Sequence, residues 1–214
     1  MLRRRMASTT SLSVKVSVKV ILGSTREGRF GDKPAHWILG EARQHPGVDA
    51  ELLDLLDYPL PFFDRPISPA REKGAYSSPA VTRWAAQIAG GDAFVVVSPE
   101  YNHGYPAVLK NAFDHIFPEW ARKPIGFVSY GNAGGARGVE QLRLVAVELA
   151  MWPIRPAIHI PSEIYLAASK EPVPPNPAVF EPLKKTRFGD RVGMFFDDLL
   201  WAARALKAAR TPAP

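Results

Sequence analysis

Two apolar rhythms alternate along this chain. Val14, Val16, Val18 and Val20 are separated by Lys15, Ser17 and Lys19, a period of two that predicts a strand with one wet face, and the run becomes continuously apolar at Ile21 and Leu22. The predicted first strand is 15–23. Helical spacing then takes over from Pro34 through Trp37, Ile38 and Ala42, until Pro46-Gly47 stops it. The same exchange recurs. Residues 48–56 read as a strand, and Val81, Trp84, Ala85 and Ile88 mark a helix opened by Ser77 or Ser78 with Pro79 and closed by Gly90-Gly91. Val95-Val96-Val97 leads a buried strand, and Val108, Leu109, Ala112, Phe113 and Ile116 share one helix face behind Pro106. A fourth strand is predicted over 123–130, a helix around Leu142, Val145, Ala146 and Leu149, a fifth strand over 154–160, and a last helix over 190–209.

This βα alternation predicts a doubly wound sheet of parallel strands in the order 2-1-3-4-5, with helices on both faces. Residues 12–214 are expected to form one domain behind a disordered extension over 1–11, which is basic and hydroxyl-rich and carries a second Met at position 6. The proline-dense stretch 172–182 is expected to be an extended, exposed arm. The long loop 58–78 either walls a site with its aromatics or packs over the sheet edge.

Composition narrows the chemistry. With 46% hydrophobic and 22% charged residues among 214, the chain has an ordinary globular make-up. There is no cysteine, which excludes disulfides, thiolate nucleophiles and Cys-ligated metal, and fits a reducing cytoplasm. The net charge is +6, but the basic residues are scattered beyond Arg3-Arg4-Arg5, so a phosphate-bearing small molecule is a better reason for part of it than nucleic acid. No apolar run approaches the roughly 20 residues of a membrane span. His36, His45, His115 and His159 are dispersed and make no metal spacing, and Ser98 stands in no nucleophile elbow.

Three loops at the carboxyl ends of predicted strands carry the chemistry. Gly23-Ser24-Thr25-Arg26-Glu27-Gly28-Arg29-Phe30-Gly31 joins a strand to a helix, and its hydroxyls, amides and arginines suit a phosphomonoester; a solvated glycine-rich turn is equally consistent. It lacks the Gly-Lys-Ser/Thr of a Walker loop and the Gly-x-Gly-x-x-Gly of dinucleotide folds. Pro99-Glu100-Tyr101-Asn102-His103 sets an aromatic ring among hydrogen-bonding groups. Ser129 to Gly138 is dense in glycine, which either lets the backbone approach a planar ligand or makes a hinge.

Pro99-Glu100-Tyr101-Asn102, then Pro106, then Leu109-Lys110-Asn111-Ala112 and Asp114, resembles the flavin-contacting loop of the NAD(P)H-dependent FMN reductase family, which includes quinone, azo-dye and chromate reductases on a flavodoxin-like fold. The resemblance implies an enzyme that takes a hydride from NADPH or NADH onto bound FMN and passes electrons to a small-molecule acceptor. It implies that Ser24, Arg26, Gly28 and Arg29, with Phe30 beside them, hold the FMN phosphate. Pro99, Glu100, Tyr101, Asn102 and His103 are expected on the ring, with backbone N–H groups around Glu100, Tyr101 and Asn102 bonding its polar edge. Ser129, Gly131, Gly134, Gly135 and Arg137 are expected on its other side. Many relatives have Ser and Asn where Arg29 and Gly31 stand here. No catalytic side chain and no metal are implied, because the cofactor carries the redox step. A homodimer or homotetramer is expected, and Trp120 and Tyr105 are either core or subunit interface. The other class that fits three such loops is an electron carrier without nicotinamide turnover, and the basic net charge weighs against it.

Overall fold

The computed structural model describes residues 15–72, 74, 76, 78–187 and 189–210. The extension over 1–11 and Ser77 lie outside the described residues. The elements run β1 (Val16–Leu22), α1 (Asp32–Arg43), β2 (Val48–Asp54), a short α2 (Pro69–Glu72), α3 (Pro79–Gly90), β3 (Ala93–Pro99), α4 (Ala107–Asp114), β4 (Pro124–Tyr130), α5 (Ala136–Glu148), β5 (Trp152–Pro153), β6 (Ile158–Ile160), α6 (Ser162–Ser169) and α7 (Arg191–Arg210). The sheet order is β2-β1-β3-β4, with β5 and β6 both on the far side of β4 and every pairing parallel. This is the flavodoxin-like order that the alternation of patterns predicts.

The register sets the strand ends, and therefore the site. Val18 faces Ala50 on one side and Ala93 on the other, and Val97 lies opposite Val128. All of β3 and β4 is buried, as central strands covered on both faces must be. One face carries α1 and α7 over Val18, Val20, Val95 and Val128. The other carries α3, α4 and α5 over Ile21, Phe94, Val96 and Phe127.

Three expectations need correction. The second strand stops at Asp54, because the Asp54 carboxylate accepts the Leu56 N–H at 2.9 Å and turns 55–57 into a 3-10 helix. The predicted fifth strand is broken, since Pro153 and Pro156 supply no N–H for a ladder. The Arg143 guanidinium donates to the Ile154 and Arg155 carbonyls at 2.6 and 2.9 Å, satisfying the interruption. The proline-dense stretch is not simply an exposed arm. Residues 177–183 form a 3-10 helix whose Phe180 is fully buried and stacked on Trp37 at 4.6 Å. Of the two readings of Trp120, core or interface, the structure takes the first, which removes it from the apolar surface open to a second copy: it is fully buried, with Trp84, Phe94 and Phe113 within 6 Å ring to ring.

The first part of the long loop, residues 58–63, packs on the α3–α4 side. Asn111 accepts the Phe63 N–H at 2.9 Å and donates to the Pro61 carbonyl at 2.7 Å, the His115 ring donates to the same carbonyl at 2.7 Å, and Tyr58 meets Trp84 edge-on. Helix α3 starts at Pro79 with Ser78 as its cap residue, although the Ser78 side chain makes no capping bond.

Candidate functional site

The carboxyl ends of β1, β3 and β4 converge on a cleft of about 610 Å³ lined by Arg26, the 99–103 segment, Tyr130, Gly131, Asn132, Arg137, Ser162 and Tyr165. This is where an open parallel sheet leaves a crevice, between β1 and β3 where the order reverses.

On the β1 side, the chain leaves the sheet at Gly23, whose N–H still bonds the Val97 carbonyl at 2.9 Å. The Ser24 hydroxyl lies 3.1 Å from the Tyr101 hydroxyl and the Arg26 guanidinium sits 5.5 Å from the centre of the Tyr101 ring, so β1 and β3 loops are tied across the cleft. Among the described residues, the N–H groups of Ser24, Thr25, Glu27 and Gly28 have no acceptor, and the Arg26 side chain has no carboxylate partner. Free amides beside a free guanidinium fit a phosphate.

Arg29 behaves differently, although it stands only three residues on. Its Nε donates to Asp32 at 3.0 Å, Nη1 donates to Asp54 at 2.8 Å and to the Ser24 carbonyl, and Nη2 donates to Asp32 at 2.9 Å and to Asp54. All five N–H donors of a guanidinium are thereby engaged. Burial works against its charge, but the bonds to Asp54 and Asp32 overcome this and raise its pKa. The expected phosphate role of Arg29 is therefore corrected: it shapes the loop from behind. Phe30 also lies behind the cleft, its ring 4.9 Å from Tyr130 and 4.2 Å from Tyr165, supporting two residues that do line it.

On the β3 side, the Glu100 N–H bonds the Tyr130 carbonyl and the Tyr101 N–H bonds the Gly104 carbonyl, both at 2.9 Å. These amides are not available to a ligand, contrary to expectation. The free ones belong to Asn102 and His103, at the tip of a two-residue hairpin. The Glu100 carboxylate is also turned inward. Burial pushes its pKa up, but the hydrogen bond from Arg137 and the backbone N–H groups of Gly138 and Arg137 outweigh it, leaving the pKa below the ordinary value.

The glycine-rich loop after β4 gives a third correction. Gly131 lines the cleft, but Gly134 and Gly135 press against the protein itself. A side chain at Gly134 would meet His159 Cβ at 3.1 Å, and one at Gly135 would meet Ser129 Cβ at 2.6 Å. Ser129 is buried, donating to the Gly134 carbonyl at 2.7 Å and held by His159 Nδ1 at 2.8 Å. Ser129, Gly134 and Gly135 therefore hold the loop's shape. Burial lowers the pKa of His159 below the usual histidine value.

Four lining residues escaped the sequence reading: Tyr130, Asn132, Ser162 and Tyr165. Tyr130 closes β4 at its carboxyl end, so position alone could have flagged it. Burial raises the pKa of its hydroxyl. Ser162 and Tyr165 lie on α6, a helix that the proline-bounded pattern after 160 does not announce. Among the described residues no group of three or more acidic or imidazole side chains could hold a metal.

Comparison with known proteins gives this arrangement a lineage. The sequence profile of the NADPH-dependent FMN reductase family matches residues 16–163, and the chain belongs to that family. It is 38% identical over 154 residues to an NAD(P)H-dependent FMN reductase of Schizosaccharomyces pombe, covering 71% of this chain and 77% of that one. It is 36% identical over 144 residues to a quinone reductase of Escherichia coli, covering 64% of this chain and 73% of that one. Among solved structures, the flavoenzyme NAD(P)H:(acceptor) oxidoreductase FerB of Paracoccus denitrificans superposes with a TM-score of 0.64 at 22% identity, over 88% of this chain and 98% of that one, which supports the fold. The chain is thus an oxidoreductase of a family that uses FMN with NADPH or NADH as electron donor.

Proposed function

We propose that the cleft binds FMN and that the enzyme passes electrons from NADPH or NADH to small oxidised acceptors, with quinones, azo compounds, metal oxyanions and free flavin as the candidate classes. The observation that carries this is the juxtaposition of the free amides of 24–28 and the unpartnered Arg26 with the aromatic wall made by Tyr101 and Tyr130. Arg26 and the amides of Ser24, Thr25, Glu27 and Gly28 would hold the phosphate, and the free amides of Asn102 and His103 would hold the polar edge of the ring. When bound, FMN supplies a centre that accepts a hydride and releases electrons. The protein's own part is to bind, orient and polarise. Donors placed beside the ring stabilise negative charge on it, because they need no reorganisation. A relative that is a quinone reductase and one that is an FMN-dependent NADPH-azoreductase support the acceptor classes.

The functional unit is a homodimer or larger. On α5 and β5, Leu144, Val147 and Trp152 are 73%, 63% and 58% exposed, apolar surface that a second copy would cover. A chain without cysteine suits the reducing cytoplasm, and no helix of the described residues is long and apolar enough to cross a membrane.

Titrating flavin-free protein with FMN and with riboflavin, followed by anaerobic bleaching with NADPH, tests the reading. FMN is expected to bind far more tightly than riboflavin and to be bleached. Equal affinity for both would remove the phosphate cradle, and no binding of either would overturn the function.

A further inference from the structure

Asn102 and His103 both hold positive φ, 50° and 68°. Side-chain-bearing residues are uncommon in that region, and two in succession need support from outside the turn. They form the tip of a hairpin in which Tyr101 and Gly104 exchange both N–H···O bonds at 2.9 Å. Such primed two-residue turns favour Asn-Gly, and His103 stands where glycine is preferred.

The support comes from the first turns of α5. Gln141 Nε2 donates to the His103 carbonyl at 2.8 Å, and Arg137 Nη1 lies 2.8 Å from His103 Nε2. A guanidinium can only donate, so that imidazole nitrogen accepts. Arg137 is in turn fixed by the buried Glu100, whose carboxylate accepts from Arg137 Nε at 2.6 Å and from the Arg137 backbone N–H at 3.0 Å. The helix comes close enough that a Cβ at Gly138 would stand 3.1 Å from the Gly104 carbonyl oxygen.

We infer that Glu100 and Arg137 are positioning residues. They clamp the Asn102–His103 turn onto α5, keeping its two free N–H groups in place at the cleft wall, and neither side chain needs to touch the ligand. This rests on the FMN reading above.

The test uses the full chain, stripped of flavin, with Glu100→Gln, Arg137→Gln, each combined with His103→Gly, and Gln141→Ala as a milder variant that removes only the hold on the His103 carbonyl. Each clamp variant is expected to weaken FMN roughly tenfold, and Gln141→Ala about threefold, in keeping with the strain of a left-handed residue released from restraint. Riboflavin should weaken by the same factors, because the turn serves the ring that both ligands share. Adding His103→Gly should restore most of the FMN affinity, since Asn-Gly adopts the turn unaided. Double variants as weak as the singles would overturn the inference in favour of direct contact by Glu100 or Arg137. Singles that bind like the parent would overturn it as well. Failure of the parent chain to bind FMN would instead remove the functional reading on which the inference stands.

Discussion

The loop after β1 and the loop after β4 look alike as strings of glycine between a strand and a helix, yet they do opposite work. In the first, a Cβ at Gly28 would meet nothing within 4 Å, several amides are free and one arginine has no carboxylate partner. In the second, Gly134 and Gly135 are jammed against His159 and Ser129, and the Ser129 hydroxyl beneath is bonded both to the Gly134 carbonyl and to the His159 imidazole. The 24–28 stretch of the first loop is open to a ligand, whereas in the second Gly131 and Asn132 line the cleft and Gly134 and Gly135 are closed on the protein itself. Glycine density by itself therefore says little about binding. What distinguishes Gly28 from Gly134 and Gly135 is whether the space beside the glycine is open or already filled by the protein itself.

The sharpest way to break this contrast is to give each loop a methyl group. Gly135→Ala should cost about 3–4 kcal/mol, because its φ of 78° and a 2.6 Å contact with Ser129 Cβ leave the new atom no place. For a chain of this size that is a fall in melting temperature of roughly 6–16 °C. Gly28→Ala, at φ 61° in open space, should cost only ~1 kcal/mol. Equal melting temperatures for the two variants would erase the distinction.

The two arginines of the first loop supply the next contrast. Arg29→Ala strips Asp32 and Asp54 of their cation. Their side chains are 26% and 22% exposed, so water softens the loss to ~2–3 kcal/mol of stability, read as a lower urea midpoint. Arg26→Ala should leave that midpoint within ~1 kcal/mol, since the side chain makes no ion pair among the described residues and loses only its approach to the Tyr101 ring. Its effect should appear in FMN affinity, as a loss of ~1.5–3 kcal/mol, or roughly one to two powers of ten in Kd, with riboflavin almost indifferent. Were Arg29→Ala to lower FMN affinity without touching stability, the two roles would have been assigned the wrong way round.

The smallest effect concerns pH and belongs to the second loop. His159 has a folded pKa depressed by burial, so below the ordinary histidine value of 6.5 the unfolded chain takes up a proton that the native state resists. Its share of stability is complete above pH 6.5 and is lost as the pH falls beneath it. Urea midpoints at pH 7.5 and 5.5 should differ more for the parent than for His159→Gln. An identical difference would show that the imidazole is not the group responsible.

By itself the sequence determined the sheet, its order and the end at which a ligand could sit. Alternating valines, helical apolar faces and the punctuation of Pro and Gly are local signals, and each strand's hydrophobic run is set by burial on both faces. The convergence of Arg26, Tyr101, Asn102, His103 and Arg137 on one cleft was legible for the same reason, since strand ends of a parallel sheet lie side by side. Only the tertiary structure decided which of two nearby arginines is free, because Asp32 and Asp54 reach Arg29 from α1 and β2. It alone showed that Ser129, Gly134 and Gly135 serve packing, that Phe180 folds a proline-rich stretch onto Trp37, and that the Glu100 carboxylate at the cleft wall is paired with Arg137. Partners separated by tens of residues leave no period in the chain, and whether a donor is taken is settled only when its neighbours arrive.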